Sequence, residues 1–346
     1  MSINTKITNR TRACLGLAFG FILIFVAIKI FTVNPFDFNN MRRGTQALLS
    51  GINPWDEKTR ISNFYNPPFS VLFLWPLLLL NSELILAIGA SLLFAFIFYH
   101  KAWVSLSVFA SNLILWLIAA GGIDLYVMGA GLVLLSLCED VHNEKLITVL
   151  RVLAYGFLLV KPQGGLFIVL IYIFTHKDWT GLLISLGLYG LLFLPLYPDW
   201  VGVILTDPPM SQDIAAKTLW GKFGPILSLT IAIWIILSRR WKYWQLGGAL
   251  AGILAPYGMT GIPTLLTLSA VDNLIAIPIF IIYSACLAMM TWISPPPEAD
   301  YYSFLGRFTS IYHLGTFSLA LILACYSGAD NTSHKINWPT IPFGDQ

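Results

Sequence analysis

Long apolar runs follow one another from residue 13 to residue 327, separated by short polar breaks, and within them apolar and polar residues do not alternate. In lipid every backbone polar group must be bonded internally, so such runs can form only helices or a closed barrel. Barrel strands alternate in polarity, and these runs are continuous, so helices are predicted. A hydrocarbon core of ~30 Å takes about 20 apolar residues. Spanning candidates fall at 13–33, 67–80, 83–100, 102–120, 123–138, 147–160, 164–176, 179–197, 225–238, 245–268, 273–293 and 308–327, and several are shorter than a full span. Hydrophobic residues make up 57% of the chain and charged residues 11%, which excludes an ordinary soluble domain. The expected fold is all-α, a polytopic transmembrane bundle of about ten to twelve helices, with residues 1–346 forming a single integral membrane domain.

Orientation follows from charge. Lys6, Arg10 and Arg12 precede the first apolar run, and no small-residue cleavage site follows it. That pattern predicts an uncleaved signal anchor in the cell membrane with a cytoplasmic N-terminus. A first outer loop at 34–66, a second at about 197–224 and a flexible tail at 328–346 are then expected. The basic clusters "HKDW" at His176 to Trp179 and "SRRWK" at Ser238 to Lys242 should be cytoplasmic as well. Strict counting of the candidates does not bring both inside, so a segment between Pro67 and Ala120 is expected to be broken or re-entrant.

Several function classes lack support. The net charge of +3 is modest and the basic residues sit in short loops, so nucleic acid is not an expected partner. Cys14, Cys138, Cys286 and Cys325 have no ligand spacing, and the five histidines are scattered singly. No phosphate-binding glycine loop is present. No cofactor or metal site is expected, although a divalent ion at a phosphate stays open. An activated donor would have to arrive through the membrane, carried by a lipid.

The polar stretch from Val33 to Phe69 interrupts this apolar chain. Within it, "DFNNMRRGTQALLSG" carries apolar Phe38, Met41, Leu48 and Leu49 and polar Arg42, Arg43 and Gln46. An amphipathic helix along the outer interface is predicted, capped by Asp37 or Asn39 and ended by a left-handed Gly51. Pro67 and Pro68 suit the first turn of the next helix. Asp37 has two readings: a helix cap, or a functional acid at the mouth of the first membrane helix.

Asp37-Phe38, then Gly51, Asn53-Pro54-Trp55 and Phe64-Tyr65-Asn66-Pro67-Pro68, with a helix ending at Trp75-Pro76-Leu77, resemble the first outer loop of the GT-C membrane glycosyltransferases. The pattern is most similar to glycosyltransferase family 87, the polyprenyl-phosphate-mannose-dependent mannosyltransferases. "LLVKPQGGLFIVLIYIFTHKDW", Leu158 to Trp179, is a second point of similarity, and together these cover roughly the first 180 residues. The chain departs from the family at Asn39-Asn40-Met41, where the family has tyrosines, and at Gly121-Gly122-Ile123-Asp124, where it often has a G-Q-x-N turn.

The resemblance implies an inverting transfer of a hexose, mannose in the family, from a polyprenyl-phosphate donor to a lipid-linked or glycan acceptor on the outer face. Charge grows on the leaving phosphate in such a reaction, so a fixed cation helps most there. Phosphate leaves without a general acid, so a single carboxylate can serve as the base. Asp37 is the candidate base. Lys161, which interrupts an apolar stretch, is the leading phosphate ligand, with Gln163 beside it and Arg42 and Arg43 as further candidates. Lys161 also reads as a lysine snorkelling at a helix end, and the two arginines as solvating an exposed helix face. Asn53, Trp55, Tyr65, Asp124 and Lys217 are candidate acceptor or loop contacts. Two other readings are open: a non-catalytic membrane subunit of the same fold, and a transporter of lipid or small solutes, for which no second copy of the Asp37 to Pro68 arrangement is seen.

Overall fold

Helix length decides which apolar runs cross a membrane alone and which need company. In the computed structural model, which describes residues 8–30, 35–61, 64–111, 114, 118, 122–206, 218–238, 241–256, 261–293 and 301–327, all regular structure is helical. The α-helices are α1 (Asn9–Ile30), α2 (Phe36–Leu49), α3 (Val71–Leu74), α4 (Pro76–Leu79), α5 (Ser82–His100), α6 (Asp124–Leu137), α7 (Glu144–Leu159) and α8 (Pro162–His176). They continue as α9 (Trp179–Ser185), α10 (Tyr197–Thr206), α11 (Leu219–Ser238), α12 (Tyr243–Leu254), α13 (Gly261–Leu268), α14 (Ala276–Ile293) and α15 (Tyr301–Tyr326). Three are long and apolar enough to cross a membrane, at Asn9–Ile28, Ser82–His100 and Leu219–Ser238, and Trp179–Leu191 with Leu194–Thr206 adds a fourth if that pair, bent by 60°, is one span. The chain is therefore an all-α bundle with membrane-spanning character. α5 is mostly buried at its centre, whereas α1 and α11 turn most of their apolar surface outward.

Contacts at the helix ends set the direction of each element. Arg10 at the start of α1 pairs with Asp140 just past α6, at 3.4 Å. His100 at the end of α5 lies 2.9 Å from the Ser136 hydroxyl near the end of α6. α1 therefore begins where α5 and α6 finish. We term this end basal and the opposite end apical. α7 turns back against α6, with Cys138 beside Ile147 at the basal turn and Lys161 beside Asp124 at the apical end. Tyr243 packs on Tyr172 and His176, with centroids 4.9 and 5.7 Å away, so α12 starts at the basal end too. His176 and Lys177 of the first basic cluster, and Trp241 and Lys242 of the second, thus share the end that holds Arg10, as their charge predicts.

α5 starts at the apical end, where α1 finishes, so the chain from Phe64 to Asn81 leaves and returns on one side. This stretch lies within the 67–120 region where a broken segment is expected. Pro68 opens a 3-10 turn and Pro76 interrupts the helical stretch after it, leaving α3 and α4 with four residues each, too short to cross. The expected span at 67–80 is corrected accordingly. α5 and α6 run parallel, so Lys101 and Asp124 lie at opposite ends.

Two further expectations change. Residues 245–268 are not one span but an antiparallel pair, α12 and α13, in which the Gln245 side chain donates to the Ser269 carbonyl at 3.0 Å. α12 ends at Leu254, just before Pro256, which has no N–H to continue a helix. The segment expected as a second loop, 197–224, is partly helical: Tyr197–Thr206 forms α10, and α11 opens at Leu219 but is broken at Gly224, φ +81°, ahead of Pro225, where the expected span at 225–238 begins. The tail at 328–346 lies outside the described residues.

A buried polar knot ties α7, α8 and α9 together. Arg151 pairs with Asp178 at 3.3 Å and donates through Nε to the Tyr172 hydroxyl at 3.1 Å, while Tyr155 donates to Asp178 at 2.6 Å. Asp178 also accepts the Gly181 N–H that opens α9. Each charged group has a partner, which burial in an apolar bundle demands.

α5 and α6 approach each other closely, backbone to backbone, at Gly89. A Cβ at Gly89 would fall 2.5 Å from the backbone nitrogen of Tyr126, and neither backbone can give way. Gly89→Leu is expected to cost ~2–3 kcal/mol and lower the melting temperature in detergent. Gly187→Ala, with nothing within 4 Å of the added carbon, should leave it within a degree or two and serves as the control.

Candidate functional site

α2 folds as its pattern predicts but starts earlier. Pro35 stands at the N-cap, with no side-chain cap, and its carbonyl accepts the Asn39 N–H at 2.9 Å. The first turn thus closes ahead of Asp37, which lies inside the helix. The expectation that Asp37 or Asn39 caps α2 is corrected. An acid in the first turn still complements the helix dipole, worth ~0.3–1 kcal/mol. The C-terminus is as expected: Gly51, at φ +74°, passes the chain out, with the Gly51 N–H on the Leu48 carbonyl and the Ile52 N–H on the Ala47 carbonyl.

The buried residues of α2 are Phe38, Asn40, Met41, Gly44, Thr45 and Ala47. At ~100° per residue Asp37 falls near the middle of that stripe, and it is half-buried. Arg42 and Arg43 fall on the exposed side. Arg42 donates to the Leu78 carbonyl at 3.3 Å, which fixes α2 over α4. The two arginines are thus not brought to the face that carries Asp37.

The loop after α2 is a clamp. Gly44 lies flat on the Phe64 ring, where a Cβ would come within 2.2 Å. Trp55 stacks on Phe64 with ring centroids 5.6 Å apart and donates its indole N–H to the Phe64 carbonyl at 3.0 Å. Asn53 accepts the Trp55 N–H and donates to Asp199, and the Tyr65 carbonyl accepts the Trp200 indole N–H at 3.0 Å. Asn53, Trp55 and Tyr65 therefore join the first polar loop to α10, and Trp55, only 3% exposed, is a core anchor rather than an open contact.

Next to this clamp lies the charge pair. The Lys161 ammonium stands 3.6 Å from Asp124, with side-chain exposures of 15% and 22%. Asp124 lies in the first turn of α6, and Lys161 sits between the end of α7 and Pro162, which opens α8. Each charge complements the helix end it adjoins on the α6–α7 hairpin. Asn66, buried at 3% exposure, donates to the Val160 carbonyl at 3.1 Å, one residue from Lys161. The polar loop is therefore bonded to the segment that carries the lysine. Asn66 and Asp199 escape sequence reading, because an Asn before two prolines looks like a turn and a single loop acid has no distinguishing spacing.

Gln163 is half-exposed beside Lys161, two residues into the same turn. Lys217 lies outside the described residues, as do Asp207, Gln212 and Asp213. Among the described residues no group of three or more His, Cys, Asp or Glu side chains could hold a metal ion.

Comparison with protein-family models, with curated proteins and with solved structures finds no match.

A largely shielded ion pair is more costly to halve than to remove. Lys161→Met should lower stability by ~1–3 kcal/mol, and adding Asp124→Asn to that variant should recover most of the loss. Thermal unfolding of the single and double variants in detergent measures the coupling.

Proposed function

We propose that the chain is an inverting membrane glycosyltransferase of the GT-C type, moving a hexose, mannose by its resemblance to family 87, from a polyprenyl-phosphate donor to a lipid-linked or glycan acceptor. The observation that supports this reading best is the hydrogen bond from Asn66 to Val160 beside the Lys161–Asp124 pair. It joins the segment bearing the expected phosphate ligand to the polar loop that follows Asp37.

The orientation proposed is multi-pass in the cell membrane, with the basal end in the cytoplasm. Arg10, Lys177 and Lys242 gather there, and cytoplasmic loops carry the excess of basic residues. Asp37 and Lys161 then belong to the extracytoplasmic side, where a lipid-borne donor can reach them from the bilayer.

Three groups of this chain serve the transfer, Lys161, Asp124 and Asp37. The donor's phosphodiester carries one negative charge, and the Lys161 ammonium balances the second that develops as the sugar–oxygen bond breaks. An ammonium offers three N–H donors, so it can engage phosphate oxygens while Asp124 holds its position. The acceptor hydroxyl attacks the anomeric carbon from the face opposite the phosphate and passes its proton to the Asp37 carboxylate. One displacement inverts that carbon, so a β-linked donor yields an α-glycoside.

Reconstituted protein supplied with a polyprenyl-phosphate sugar and membrane acceptors should form a glycoside, and Asp37→Asn should slow transfer by about a hundredfold or more. Lys161→Met should lower kcat by a similar factor, because the charge it meets is largest in the transition state. Equal rates for wild type and Asp37→Asn would remove the base. Movement of lipid across the liposome without glycoside formation would favour a transporter, and neither activity would favour a non-catalytic subunit.

A further inference from the structure

Asn40 is out of place by every local rule. It lies on the buried stripe of α2 with 5% of its surface exposed, and its side-chain nitrogen has no hydrogen-bond partner among the described residues. A buried amide donor left unpaired is costly, and nearly all such groups in folded proteins find a partner. Asparagine is also a weak helix former, so neither packing nor propensity calls for it. The other small polar residue on that stripe, Thr45, is satisfied by the Met41 carbonyl at 2.8 Å. Asn39, one position away, faces outward, where polarity costs nothing.

The helix cannot turn to relieve Asn40. Gly44 is seated on Phe64, Trp55 stacks on Phe64 and bonds its carbonyl, and Arg42 donates to the Leu78 carbonyl. Asn40 is three residues beyond Asp37, so the two lie about 60° apart on one face and one turn apart along the axis. A group that meets the Asp37 carboxylate therefore has the Asn40 amide for a neighbour.

We propose that Asn40 is a specificity residue, its amide donating to the hydroxyl next to the anomeric carbon of the transferred sugar. This rests on the reading of Asp37 as the base. The 2-hydroxyl is one bond from the carbon under attack, within one helical turn of the acceptor oxygen that Asp37 deprotonates. Hydrogen bonds to that hydroxyl strengthen as an oxocarbenium-like centre forms. The unpaired amide is then a donor held ready for substrate, at the expense of the free protein's stability.

The test uses the full-length protein in liposomes with two polyprenyl-phosphate donors, one bearing the 2-hydroxyl and its 2-deoxy counterpart. Asn40→Leu and Asn40→Ala should reduce the preference for the hydroxylated donor by roughly tenfold relative to wild type, chiefly through kcat. Asn40→Ala should also melt at a higher temperature than wild type in detergent, since it removes a buried unpaired donor and raises helix propensity without overfilling the stripe. An unchanged donor preference, with both donors slowed equally, overturns the proposal, and so does an Asn40→Ala variant that melts lower. These outcomes are separable from the function itself. If Asp37→Asn is inactive while the Asn40 variants keep full discrimination, only the role of Asn40 falls; if wild type forms no glycoside from either donor, both fall together.

Discussion

An ammonium and a carboxylate 3.6 Å apart, shielded from water at the apical end of an apolar bundle, are the constraint around which this end is organised. Neither charge could be left there alone, because an unpaired ion in low dielectric is far more costly than a paired one. Asp124 and Lys161 stand at the two open ends of the α6–α7 hairpin, so their attraction closes that hairpin opposite its connecting turn. The Arg151–Asp178 pair and its two tyrosines do the same across α7, α8 and α9. The bundle thus holds its charges as pairs between helices, and the helices inherit their register from them.

The polar loop depends on that closure. Asn66 bonds to the backbone beside Lys161, Phe64 two residues earlier carries α2, and Trp55 fixes Phe64. Each link is short and each uses a different chemistry: an amide hydrogen bond, a ring against a glycine, an indole N–H on a carbonyl. A short helix packed along one side only would ordinarily be free to roll about its axis. Here one side is seated on an aromatic ring, so Asp37 and Asn40 keep a defined face toward the protein.

Much of this architecture is legible in residue order. Continuous apolar runs predict helices, the stripe of Phe38 and Met41 predicts the phase of α2, and Gly51 predicts its end. The basic clusters predict which loops share an end, and their conflict with simple counting predicts a broken segment somewhere between Pro67 and Ala120. Other parts are not legible. Residues 245–268 read as one span because hydropathy does not register a reversal, although Pro256 marks it. Asp37 reads as a cap because an acid before an apolar run usually is one, and Pro35 supplies the closing carbonyl instead.

Residue order alone dictates the class of fold, since nothing but helices can satisfy so much backbone in an apolar medium when the runs do not alternate. It also raises the candidate chemistry, since an acid and a lysine among apolar neighbours invite a functional reading. The partners belong to the folded chain. That Lys161 meets Asp124, that Asn66 reaches Val160 and that Asn40 is buried with its amide unpaired all depend on contacts between residues distant in the chain or on the facing of one helix. Periodicity specifies which side of a helix is apolar; what that side touches is set by packing against segments elsewhere in the chain.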